Sequence, residues 1–161
     1  MTRKRSFPHV TDANTRVLIL GSLPGDASLA QSQYYAHPQN KFWELLSEVT
    51  GENLRAMEYD QRLQTLLRHG VGLWDVIAEA RREGSLDSNI ADHAGNDLTG
   101  LIDSLPQLTT IAFNGGTAAK LGLRVLKERA ARYRIVQLPS SSPAHTMAYA
   151  KKLEQWISLR G

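Results

Sequence analysis

The apolar and polar positions divide the chain into short buried-type runs and amphipathic stretches. "TRVLILG", Thr15 to Gly21, is a continuous apolar run closed by glycine, the pattern of a strand covered on both faces. In "NKFWELLSEVTG" the apolar residues Phe42, Trp43, Leu45, Leu46 and Val49 recur at helical spacing, and Gly51 supplies the stop. A second helix fits Glu58 to Arg68, and "GVGLWDVI", Gly70 to Ile77, reads as a short strand. The polar "AEARREGSLDSNIAD" then reads as a surface excursion, and "NDLTGLIDSLPQL" restores helical spacing through Leu98, Leu101, Ile102 and Leu105. "TTIAFNGG" predicts a buried strand ending in an Asn-Gly-Gly turn, followed by a helix in "TAAKLGLRVLKERA". A last strand in "YRIVQLPSSSPAH" breaks at Pro139 into a Ser/Pro loop, and "TMAYAKKLEQWISL" closes the chain as a helix. Alternating strands and helices predict the α/β class with a mainly parallel sheet.

Composition narrows the picture. At 161 residues and 42% hydrophobic, the chain fits a single domain over 1–161, with 1–14 expected to be a basic, partly flexible N-terminal segment. No run of 18 apolar residues is present, and no apolar stretch follows the basic start, so neither a membrane span nor a secretory leader is expected. The expected setting is cytoplasmic. Without cysteine there is no disulfide framework, no thiolate zinc or iron-sulfur site and no thiol nucleophile. The five histidines are too scattered for metal-ligand spacing, so neither metal nor other cofactor is expected.

Charge is uneven. The net +3 conceals a last third, residues 111–161, with nine Lys/Arg against two Asp/Glu. Such a segment suits a phosphate-bearing partner, and equally a solvated surface.

In α/β folds ligands bind beyond the carboxyl ends of the strands, which directs attention to "GSLPGDAS", "FNGG" and "LPSSSPAH". None is a Walker loop or a Gly-x-Gly-x-x-Gly fingerprint, so a phosphate-cradling NTPase is not expected. Taken in order, "LILGSLPGDASL", "YYAHPQNKFW" and "LPSSSPAH" resemble motifs of the uracil-DNA glycosylase superfamily over nearly the whole chain. The combination looks most like the hypoxanthine-DNA glycosylase branch, family 6. The resemblance implies a three-layer α/β/α fold and a monofunctional enzyme that hydrolyses the N-glycosidic bond of a flipped deaminated base, hypoxanthine first, and leaves an abasic site. A uracil or G:U/G:T mismatch glycosylase, or a catalytically weak DNA-binding member, stays open as the alternative. The implied partner is DNA containing a damaged base, met by a monomer with no membrane contact.

An enzyme acting on an extruded base must stack it, read its edge and stabilise developing charge. The resemblance implies a base pocket formed by Gly21, Ser22, Leu23, Tyr35 and Asn114, with Tyr35 as stacking platform and Asn114 as edge reader. Leu23 stands where uracil-cleaving relatives carry a water-positioning Asp or Asn, and in family 6 the catalytic amide moves to Asn40 of "HPQN". Asn40 could instead cap the following helix, and Tyr35 could simply pack the core. Ser140, Ser141 and Ser142 offer donors to a phosphate while Pro139 and Pro143 stiffen their loop, with Ala144 and His145 at the wedge position. His37 is expected to order its loop, Tyr34 to pack, and Lys41 to contact phosphate or solvent rather than form a Schiff base. Asp87 and Asn89 lie near the implied pocket rim without an assigned role.

Overall fold

The computed structural model of the protein describes residues 3–82, 85–87 and 90–160. Four strands, β2 (Val17–Gly21), β3 (Val71–Asp75), β6 (Thr110–Asn114) and β7 (Arg134–Leu138), form a wholly parallel sheet in the order β3-β2-β6-β7. The apolar run of β2 lies mid-sheet, and every one of its residues is buried. Val17 and Ile19 face one core with α2 (Phe42–Thr50), α3 (Tyr59–Arg68) and α6 (Tyr149–Trp156). Leu18 and Leu20 face the other core, with α4 (Leu98–Asp103) and α5 (Gly116–Leu126). The period of two along a strand thus feeds both cores, which is why no polar residue interrupts it. These layers form the expected three-layer α/β/α arrangement. Gly122 lets α5 lie directly on β6, since a Cβ there would collide with the Phe113 ring.

The caps follow local chemistry. Gly51 ends α2 at φ +75°, and Asp97 opens α4 by accepting the Gly100 N–H at 3.0 Å. Helix α2 begins at Phe42.

The expected surface excursion begins and ends in sheet. Strands β1 (Arg3–Arg5), β4 (Ile77–Arg81) and β5 (Ala91–Gly95) form a second, antiparallel sheet in the order β1-β4-β5. The predicted strand Gly70–Ile77 accordingly divides at Val76. Asn96 holds that junction, donating from Nδ2 to the Asp75 carbonyl at 2.8 Å and the Ile77 carbonyl at 3.3 Å. The basic N-terminal segment is laid against this body: β1 pairs with β4, Arg5 meets Glu79 at 2.9 Å, Lys4 meets Asp26, and Val10 bridges to Leu73. Among the described residues no helix is long and apolar enough to cross a membrane.

Candidate base-binding pocket

The carboxyl ends of β2, β3, β6 and β7 open into a pocket of about 440 Å³, within the roughly 300–1,000 Å³ usual for ligand sites. Its lining brings together Gly21, Ser22, Leu23, Tyr35, Asn40, Asn114 and the whole loop Ser140 to His145, residues spread over more than 120 positions of sequence. Asp87 joins them, while Asn89 lies outside the described residues. Among the described residues no three His, Asp or Glu side chains converge to hold a metal ion.

The first wall is the β2–α1 loop "GSLPGD", ahead of the short helix α1 (Asp26–Gln31). Leu23 is 6% exposed and packs with Ile77 and Ala80, so it closes the pocket with hydrocarbon and offers water no hydrogen bond. Arg82 pins this loop from behind. Its buried guanidinium donates to the carbonyls of Leu23 and Pro24 and lies 3.5 Å from the Asp87 carboxylate. Ser22 donates to the same carboxylate at 2.7 Å. Leu86 stands beside it at the rim, 51% exposed, between Asp87 and Ser85, whose hydroxyl accepts the Asp26 N–H at 2.9 Å.

The second wall is "YYAHPQN". Tyr34 is buried, meets Phe7 edge-on and donates to the Pro8 carbonyl at 3.1 Å, a packing role. Tyr35 has φ +55°, an unusual setting for a residue with a side chain, and its ring lies 3.8 Å from Phe42 at 15° to it. Burial, then the Asp75 carboxyl, push its hydroxyl well above the usual tyrosine range, so it stays neutral. His37 orders the turn, its Nδ1 accepting from the Gln39 N–H at 3.1 Å and its carbonyl from Asn40 N–H at 3.0 Å. Asn40 Oδ1 accepts the Phe42 N–H at 2.9 Å, which directs its Nδ2 donors away from the helix. Lys41 lies 3.6 Å from Glu44 on the solvent side.

The third wall differs in detail from expectation. Ser141, expected to face phosphate, is 1% exposed and exchanges two 2.9 Å hydrogen bonds with Asn114, whose Nδ2 donates to Ser141 Oγ while Oδ1 accepts Ser141 N–H. Its carbonyl also accepts the Lys41 N–H at 3.0 Å, tying the Ser/Pro loop to the Asn40 turn. Ser140 Oγ and Ser142 Oγ accept loop N–H groups, from Ser142 at 3.1 Å and Ala144 at 3.2 Å, which leaves each hydroxyl proton free to donate. Ala144 and His145 are exposed. Behind the loop Lys152, 3% exposed, donates to the Ser142 carbonyl at 3.1 Å, and burial and the nearby Lys41 lower its pKa.

The sequence reading missed Asp75. It ends β3 opposite Gly21 of β2, is 3% exposed, and has an Oδ2 with no hydrogen-bond partner. Burial raises its pKa to about 7, with Arg82 pulling it down and Asp87 pushing it up. An acid closing an apolar strand at the sheet's carboxyl end was the available signal.

The sequence profile of the Uracil DNA glycosylase superfamily matches residues 7–159. A protein of Methanosarcina acetivorans named hypoxanthine DNA glycosylase is 44% identical over 153 residues, 95% of each chain. A protein of the same name from Methanosarcina barkeri is 42% identical over 154 residues, 96% of each chain. The fold also matches a solution NMR structure from Methanosarcina acetivorans with a TM-score of 0.87 and 43% identity, covering 99% of this chain and 98% of that one.

Proposed function

The chain belongs to the uracil-DNA glycosylase superfamily, and from that premise we propose that it excises hypoxanthine from DNA by hydrolysing the N-glycosidic bond of the extruded nucleotide, leaving an abasic site. The observation that carries this reading is the single pocket into which the β2 loop, the Asn40 turn and the Ser/Pro loop all converge. It is roomy enough for a bicyclic base and closed by Leu23 where a carboxylate or amide would hold water for uracil release.

Tyr35 stacks the flipped base. Phe42 covers one face of its ring and holds it rigid, and the opposite face serves as the platform. Cleavage passes through an oxocarbenium-like sugar while negative charge gathers on the departing base, so the site needs fixed dipoles more than a nucleophile. Asn40 supplies one: with Oδ1 anchored on the Phe42 amide, its Nδ2–H groups donate towards that charge, and the second lone pair of Oδ1 can accept from the attacking water. Asn114 acts on the base and, through Ser141, on the loop. Ser140 and Ser142 donate to the phosphate flanking the target, with Ala144 and His145 on the duplex side. Lys41 pairs with Glu44, which supports hydrolysis without a lysine adduct.

Single-turnover incubation with duplexes carrying inosine, uracil or xanthine, followed by alkali, tests the reading. Strand scission at inosine is the expected product. Asn40→Ala should slow it by about 10²–10³, the usual scale for a lost donor to developing charge, with DNA affinity retained. Uracil release with inosine intact would overturn the substrate assignment.

A further inference from the structure

Two buried side-chain atoms among the described residues have no hydrogen-bond partner, Tyr35 Oη and Asp75 Oδ2, and both residues line the same pocket. The two side chains flank one point, the Asp75 carboxyl presenting its other oxygen there. A Cβ built on Gly21 would lie 2.7 Å from Asp75 Oδ1 and 3.0 Å from Tyr35 Oη, so only glycine leaves this corner open. Buried polar atoms are normally satisfied, and an unsatisfied pair in a pocket points to a ligand that completes them. Of the other polar neighbours, Ser22 is engaged with Asp87 and Arg82 with the Leu23 and Pro24 carbonyls, while Asn114, bonded to Ser141, keeps an N–H beside the Tyr35 hydroxyl.

A base stacked on the open face of Tyr35 reaches with one edge towards the Oη end of that ring, where Asp75 sits. Resting on the glycosylase reading above, we propose that Asp75 is a second catalytic residue, its carboxyl giving a proton to N7 of the flipped purine as the glycosidic bond breaks. The C1′–N9 electron pair passes into the purine ring, the Asp75 proton goes to N7, and hypoxanthine leaves neutral. Water forms the new C1′–O bond, and the proton it sheds restores the carboxyl by way of solvent.

The surroundings suit a proton carrier. From the Tyr34–Tyr35 turn two neutral phenols face Asp75, from the segment after β4 come the Arg82 guanidinium and the Asp87 carboxylate, and β6 contributes only the neutral Asn114. Enclosure outweighs the arginine, so the carboxyl titrates near neutral pH, where an acid catalyst works best. Pyrimidine release would gain nothing from a donor matched to N7.

The test is the single-turnover rate on inosine duplex between pH 6 and 9 for the parent and Asp75→Asn, with melting temperature and DNA affinity as controls. The parent rate should fall about tenfold per pH unit above its midpoint. Asp75→Asn should be slower by 10² or more at pH 6 and flat with pH, while still folded and binding DNA. A duplex with 7-deaza-deoxyinosine, which lacks the acceptor, should bind the parent and resist cleavage. Asp75→Asn cleaving as fast as the parent, a pH-independent parent rate, or equal cleavage of the 7-deaza duplex would each overturn the proton transfer while leaving the glycosylase reading intact. A parent inactive on inosine would overturn both.

Discussion

At the scale of single residues the chemistry depends on which polar atoms are already occupied. Asn40 Oδ1 serves the start of α2, and that bond orients the amide whose nitrogen is proposed to donate to the base. Asp75 carries a cost that can be measured away from DNA. Its folded pKa of about 7 exceeds the usual carboxylate value of 3.8, so the stability it contributes is complete below 3.8 and lost as pH rises through 7. Asp75→Asn should therefore be more stable than the parent at pH 8, by on the order of 2–4 kcal/mol from differential scanning calorimetry, with the gap closing towards pH 4. An equal gap at both pH values would show that folding does not raise the pKa of the carboxyl.

At the scale of elements, the Ser/Pro loop is tied from three sides: to β6 through Asn114, to the Asn40 turn through Lys41 N–H, and to α6 through Lys152 and through Trp156, whose indole N–H meets the Pro139 carbonyl at 2.9 Å. A loop so held can present Ser140 and Ser142 with little ordering left to do on binding. Asn114→Ala leaves the buried Ser141 N–H unsatisfied and should cost about 1–3 kcal/mol in denaturant unfolding. Because the same loop is proposed to grip phosphate, the variant should also bind duplex DNA several-fold more weakly. A change in base cleavage at unchanged stability and affinity would instead make Asn114 a base reader alone.

For the whole molecule, the concentration of charge in the last third only partly translates into a basic face. Arg129 pairs with Asp103, and Lys152 is buried. Binding through the few phosphates flanking one flipped nucleotide should thus weaken with salt less steeply than for a large DNA clamp. An affinity loss of roughly 10–10² between 50 and 200 mM salt is expected by fluorescence anisotropy, against 10³–10⁵ for six to ten phosphate contacts. The sequence alone determined the strand-loop-helix alternation, the parallel sheet's buried strands, and the three motif loops that meet at the pocket, because each of these signals lies within a dozen consecutive residues. It could not show that "AEARREGSLDSNIAD" contributes strands, since β1, which pairs with β4, lies more than 70 residues away and the pairing of β4 with β5 leaves no local period in so polar a stretch. Nor could it single out Arg82 or Lys152, which look like ordinary charged residues until distant segments close over them, and for Asp75 it offered only a place at the end of an apolar strand. Their protonation and their hold on the loops come from burial and enclosure, and enclosure exists only in the tertiary structure.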